Sequence, residues 1–287
     1  MGGLFRAGYQ SQSRDTHPDV DKFLMRAFRN MPVWKKAHLV DEATKGIQQW
    51  ALVGIRNQFP NISLAEVKFQ LAVRWLGAEL ADRLYKNNQE KKIVDAEAIQ
   101  LALTIAAIFD TLEIPYLIGG SVASSILGEP RATLDVDFVA DLQLTHVPSL
   151  LALMNQDFFI DETMVTEAIE RQSSFNVIHL ESMLKADIFL LSNQPLVQSE
   201  MQRRQQLIIT QNPQRLAWLP SAEDIILQKL IWYRMGGGVS DRQWRDVLGV
   251  LKVQADKLDI NYLTQWAESL NITEILTQAF QQAGVIN

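Results

Sequence analysis

The stretch Tyr116 to Ala140, YLIGGSVASSILGEPRATLDVDFVA, constrains the fold more than any other part of this chain. An apolar run from Pro115 to Ile118 reads as a buried strand. It passes through Gly119-Gly120-Ser121 straight into a predicted short helix ending at Leu127. With no side chains on the glycines, backbone N–H groups at that helix N-terminus can close on an anion. Thirteen residues after Ser121 begins Leu134-Asp135-Val136-Asp137-Phe138-Val139. Its period-two alternation predicts a second strand with both carboxylates on one face and apolar residues on the other.

Two carboxylates two positions apart on a strand repel each other, and burying them side by side is costly unless a cation neutralises them. Mg²⁺, with Mn²⁺ as the alternative ion, answers that need: it binds through one or two protein carboxylates plus the phosphate oxygens of a nucleoside triphosphate. A two-metal site needs a further carboxylate. Asp187, in the apolar run Leu184 to Leu191, is the natural third member, facing the pair from a neighbouring strand. In that scheme Asp135, Asp137 and Asp187 are at once the metal ligands and the catalytic residues.

Composition fits an ordinary globular chain: 287 residues, 47% hydrophobic and 21% charged. A formal charge of -6 and a pI near 5.3 give no general pull towards a phosphate polymer, so duplex nucleic acid is not an expected partner. The chain has no cysteine, which excludes disulfides, zinc-thiolate sites and thiol catalysis, and the cytoplasm is the expected compartment. No window is long and apolar enough to predict a membrane span.

Residues 1–17 read as a loose tail, rich in Gly, Ser and Gln near the start. From Asp19 to about Asn87 the apolar spacing is helical, interrupted at Pro60, with a capping box at Ser63 and Glu66. The polar run 86–92 (KNNQEKK) is the expected linker, and Asp95 the expected cap of a helix to about Leu112. Further strands are expected at Phe175–His179, Ala186–Leu191 and Leu207–Thr210, and a helix from Ser221 to about Arg234, broken at Gly236–Gly238. The fold class is α+β: a helical region over 18–90, a mixed sheet flanked by helices over 91–215, and a helical part over 216–287. The N-terminal helices are the expected surface for a protein partner or self-association.

Several residues carry two readings. Arg131 either meets a phosphate or base, or pairs with Glu129 in a surface loop. Lys185 shares a strand face with Asp187 and either meets a phosphate or forms a salt bridge. Lys229 either reaches over a nucleotide or flanks the core. Arg234, Asp241, Arg245 and Asp246 read mainly as an ion-pair network fixing two helices. Trp34, Trp50 and Trp75 read as core rather than stacking residues, and Arg26, Arg29, Lys35 and Lys36 as a solvated helix face. The histidines, His17, His38, His146 and His179, lack metal-ligand spacing.

The string GGSVASSILGEPRATLDVDFV resembles the signature of the nucleotidyltransferase superfamily, a Gly-Gly-Ser turn followed by Asp-hydrophobic-Asp. More narrowly, Gly128-x-x-Arg131-x-Thr133-x-Asp135-x-Asp137 resembles its small prokaryotic branch, which includes toxin-type members. The run from Ser221 to Lys229 is similar to the helix after the catalytic sheet there. The resemblance implies a nucleotidyltransferase-type sheet and Mg²⁺-dependent transfer of a nucleoside monophosphate from a triphosphate to a hydroxyl, with pyrophosphate released. It assigns Gly120 and Ser121 to the phosphates, Asp135 and Asp137 to metal, Asp187 to the catalytic metal or base, and it favours Lys229 over the nucleotide; Gly119, Arg131 and Lys185 join the candidate nucleotide-binding residues from their own positions. The acceptor stays open among a small molecule, an RNA end and a protein. The alternative is a catalytically silent member binding a nucleotide or protein partner, as half of a toxin-antitoxin-like pair.

Overall fold

Helix-period apolar residues fill the first third of the chain, and proline and glycine divide them into four helices: α1 (Pro18–Asn30), α2 (Val33–Gln58), α3 (Leu64–Leu76) and α4 (Ala78–Asn87). Pro32 separates the first two, and Gly77, at φ +87°, separates the last two. Ser63 and Glu66 form the expected capping box at the start of α3. The structure, a computed structural model, describes residues 8–13, 15–87 and 96–285, without the side chains of 85–87. Most of the expected linker and the expected cap Asp95 lie outside the described residues.

The next helix is α5 (Ala98–Thr111), with Glu97 at its N-cap position but no side-chain cap. Its leading donors are satisfied instead from α2: Asp41 Oδ1 accepts from the Ile99 N–H at 2.7 Å, and Gln48 Oε1 from the Ala96 N–H at 2.7 Å. After α5 come β1 (Tyr116–Ile118), α6 (Gly120–Leu127), β2 (Asp135–Ala140), α7 (Val147–Met154), β3 (Phe158–Phe159), α8 (Glu162–Glu170), β4 (Ser174–His179) and β5 (Lys185–Leu190). The chain continues with α9 (Pro195–Arg203), β6 (Gln205–Gln211), β7 (Gln214–Leu219), α10 (Ala222–Met235), α11 (Asp241–Gln254), α12 (Ile260–Ser269) and α13 (Thr273–Ala283).

The architecture is α+β, with a five-stranded mixed sheet in the order β1-β2-β5-β4-β3 and a separate β6-β7 hairpin. β2 and β5 run parallel and every other neighbour in the sheet is antiparallel. Val136, Phe138 and Ala140 of β2 are buried in the main core. There Phe138 meets Phe109 of α5 edge-on at 5.5 Å and Tyr116 of β1 at 6.0 Å. Ala37 and Val40 of α2 belong to the same apolar cluster. Among the described residues, no helix is long and apolar enough to cross a membrane.

Inside the segment expected to be a loose tail, residues 9–12 are tied to the fold. Tyr9 Oη and the Gln12 N–H both donate to the Asp21 carboxylate, and the Gln10 N–H donates to the Gln282 carbonyl at 2.9 Å. Asp21 is itself buried against Lys252 at 3.0 Å, so a charged anchor on α1 accounts for the order.

Glu200 of α9 is 2% exposed, receives one hydrogen bond from Gln228 Nε2 at 3.1 Å, and has its pKa pushed up to about 8 by burial and then by Asp224. A carboxyl raised above its ordinary 4.5 gives stability that is complete below that value and lost as pH rises through about 8. We expect Glu200→Gln to flatten this alkaline loss and to stabilise the fold at pH 9 by about 2 kcal/mol or more. Urea melts across pH 5–9 measure it; unchanged pH dependence would show that Glu200 keeps its charge.

Candidate active site

Tyr116, Leu117 and Ile118 are buried, so β1 is fixed in the core and delivers the Gly119-Gly120 turn to the sheet edge. The Gly119 N–H donates to the Asp137 carbonyl at 2.8 Å, locking the turn beside β2. Gly120 has φ +54°, and a Cβ there would lie 1.7 Å from Asp137 Oδ2. Only a residue without a side chain lets the carboxylate lie against the turn. The Ser121 backbone N–H donates to Asp137 from the first turn of α6.

The parallel register of β2 and β5 pairs Asp137 directly with Asp187, and Asp135 with Lys185. Partners in register point to the same side of a sheet, so all three aspartates share one face. Burial first, then Asp135 and Asp187, push the Asp137 pKa up to about 6, against the opposing pull of Lys229 and the Ser121 N–H. Asp187 is paired with Lys185 Nζ at 2.7 Å, while Arg242 Nη2 stands 4.0 Å from Asp135 Oδ1. Thr133 Oγ1 donates to Asp135 Oδ1 at 2.8 Å.

Among the described residues, no group of three or more His, Asp or Glu side chains stands placed to hold a metal ion by itself. Mg²⁺ does not require one, because substrate phosphates complete its shell. The donor chemistry fits: hard oxygen ligands lie on one face, and Asp137 is short of positive charge.

Arg131 and Lys229 converge on one residue, Asp246 of α11. Arg131 Nε and Nη2 grip its two oxygens at 2.7 Å each, and Lys229 Nζ donates to Oδ2 at 2.8 Å. Arg131 Nη2 also donates to Ser121 Oγ at 2.8 Å, which joins the cluster to the turn. Burial resists ionisation of Asp246, but the hydrogen bond from Arg131 and the charges of Lys229 and Arg131 outweigh it and hold the carboxyl below the usual range. Close helix approach makes this reach feasible: a Cβ on Gly128 at the end of α6 would lie 2.8 Å from the Val250 N of α11.

Two sequence expectations are corrected here. Arg131 pairs with Asp246 rather than Glu129, because the loop before β2 turns it inward. Asp246 fixes helices, as expected, yet through Arg131 and Lys229; Arg234 donates instead to the Leu270 and Asn271 carbonyls. We expect Asp246→Ala to cost about 3–5 kcal/mol, because it leaves a buried lysine and a half-buried arginine unpaired. A loss below about 1 kcal/mol in urea melts at neutral pH would show the cluster to be dispensable. The Asp246 contribution is present above the ordinary carboxylate range and disappears as pH falls through its lowered pKa.

Beside Asp135 a cleft of about 460 Å³ opens between the N-terminal helices and the sheet. Ile47 of α2 and Trp75 and Leu76 of α3 line it together with Met183, Lys185, Arg242 and the segment 131–135, and Trp75 also packs against the apolar clusters, as expected of a core residue. One hydroxyl ties that helix layer to the carboxylate strand. Thr44 Oγ1 of α2 accepts from the Thr133 N–H at 3.2 Å and lies 3.2 Å from the Thr133 carbonyl.

No protein-family model matches the chain, and no curated protein matches it. Among solved structures, it is similar to the crystal structure of an antigenic nucleotidyltransferase-like protein from Paracoccidioides brasiliensis. The match has 21% identity and a TM-score of 0.41 and covers 64% of this chain and 91% of that one. At that TM-score the likeness carries no weight for the chemistry, which rests on the carboxylates and the turn.

Proposed function

We propose that the chain is a Mg²⁺-dependent nucleotidyltransferase, moving a nucleoside monophosphate from a nucleoside triphosphate to a hydroxyl acceptor and releasing pyrophosphate. The observation that carries this reading is the register of Asp137 with Asp187, set against a Gly120 with no room for a side chain. Asp135, Asp137 and Asp187 would hold the metal, which would supply Lewis-acid neutralisation of the phosphates and a lowered pKa for the attacking hydroxyl.

The chain's own groups do the positioning. Gly120 lets the Asp137 carboxylate lie against the turn, and the Gly119 and Ser121 N–H groups fix that residue, so the carboxylate face is held at the start of α6, where the helix N-terminus favours the negative charge of a triphosphate. Lys185 and Arg242, at the edge of the carboxylates, offset the negative charge that a triphosphate brings. Arg131 and Lys229, braced by Asp246, hold a positive field behind Ser121 and Asp137. Orientation and electrostatics together supply the rate enhancement, with no covalent intermediate on the protein.

Incubation with α-labelled triphosphates, Mg²⁺ and cell extract tests the reading. Label should pass to an acceptor in the presence of the wild-type chain and stop on chelation with EDTA. Absence of transfer, together with Mg²⁺-nucleotide binding unaffected by Asp135→Ala, would remove it.

A further inference from the structure

Among the described residues, Trp75 packs against three apolar clusters and also lines the cleft beside Asp135. Ile47, in the same lining, is 45% exposed. The rest of the lining is mixed: Arg242, loosely engaged with Asp135 at 4.0 Å, and Lys185, paired with Asp187, stand beside Leu134 and Met183. The cleft therefore combines apolar, partly aromatic surface with two cations, and its volume falls in the range of small-ligand sites, about 300–1,000 Å³.

We propose that this cleft receives the nucleobase of the bound nucleotide, stacked on Trp75, with its phosphates turned towards Lys185, Arg242 and the carboxylates. The proposal rests on the nucleotide-binding reading above and extends it to the helical region. A planar heterocycle joined to a polyanion matches both features, whereas a purely apolar ligand leaves the cations unanswered. The N-terminal helices are then part of the substrate site, and Ile47 and Trp75 set how tightly a base is held.

Calorimetry on the full chain with Mg²⁺ separates the two ideas, using ATP, GTP, CTP and UTP in turn and inorganic tripolyphosphate as the base-free probe. Wild type should bind at least one of the four nucleotides about tenfold or more tighter than tripolyphosphate, the range that aromatic stacking supplies. Trp75→Leu should erase that preference while leaving tripolyphosphate affinity within about twofold. Because Trp75 also supports the core, Ile47→Gln on the partly exposed face of α2 provides a second arm: it removes apolar surface from the same cleft and should lower the nucleotide preference. Equal binding of nucleotides and tripolyphosphate by wild type would overturn the cleft proposal and leave the carboxylate reading intact. Nucleotide preference surviving in both variants would also overturn it. Failure of wild type to bind either probe would overturn both readings.

Discussion

Asp137→Asn is expected to abolish transfer, by about 10³-fold or more in kcat/KM, while making the metal-free protein more stable at neutral pH. The first effect follows from the proposed role of Asp137: the substitution removes a charged group that would hold the metal, and that metal would stabilise developing charge by several kcal/mol. The second follows from the sign of the Asp137 shift. A carboxyl raised from 3.8 to about 6 gives stability complete below its unfolded value and lost as pH rises through about 6. Above that pH the ionised group burdens the fold, and a neutral amide of the same shape relieves up to about 3 kcal/mol. Activity assays paired with thermal melts in EDTA at pH 7.5 read both. A variant that loses activity and stability together would mark Asp137 as a structural residue.

Gly120→Ala is the second large effect. Its Cβ cannot coexist with Asp137 Oδ2, and a side chain at φ +54° adds backbone strain. The carboxylate or the turn must move, and we expect about 10²-fold or more loss of transfer with about 1–3 kcal/mol of destabilisation. Gly77→Ala is the matched control: it also has a positive φ, of +87°, but its Cβ would meet nothing within 4 Å. It should cost about 1 kcal/mol and leave transfer unchanged. Equal activity of the two variants in initial-rate assays would mean that the turn tolerates displacement.

The contrast between these glycines shows what local sequence can reveal. The turn, α6 and β2 were legible because strand alternation and a glycine-rich handover are short-range signals; β2 begins at Asp135, within a residue of its expected start. β5 was legible as a strand for the same reason, although its register beside β2 depends on a sheet order that no local pattern specifies. β3, only Phe158–Phe159, is too short to show alternation. β7 escaped notice although Ala217 and Leu219 alternate into the core, because its exposed half reads as loop. Asp246 reaches Arg131 across 115 positions, and Asp41 caps α5 across 58, so both contacts arise from tertiary packing alone. Trp75 packs against the apolar clusters as expected, whereas Trp50, 84% exposed on α2, departs from its core reading for a related reason. A tryptophan at helical spacing suggests burial and does not say which neighbours the fold brings to it.

The bond between the Thr133 N–H and Thr44 makes one amide a reporter for the seating of α2. Thr133 lies two residues before Asp135 and is 2% exposed, and its N–H bonds to α2, so its proton exchanges with solvent when that contact opens. Deuterium uptake at this single position therefore clocks the opening of α2 over the carboxylates. A ligand clamped between the two should slow that clock before any product is formed.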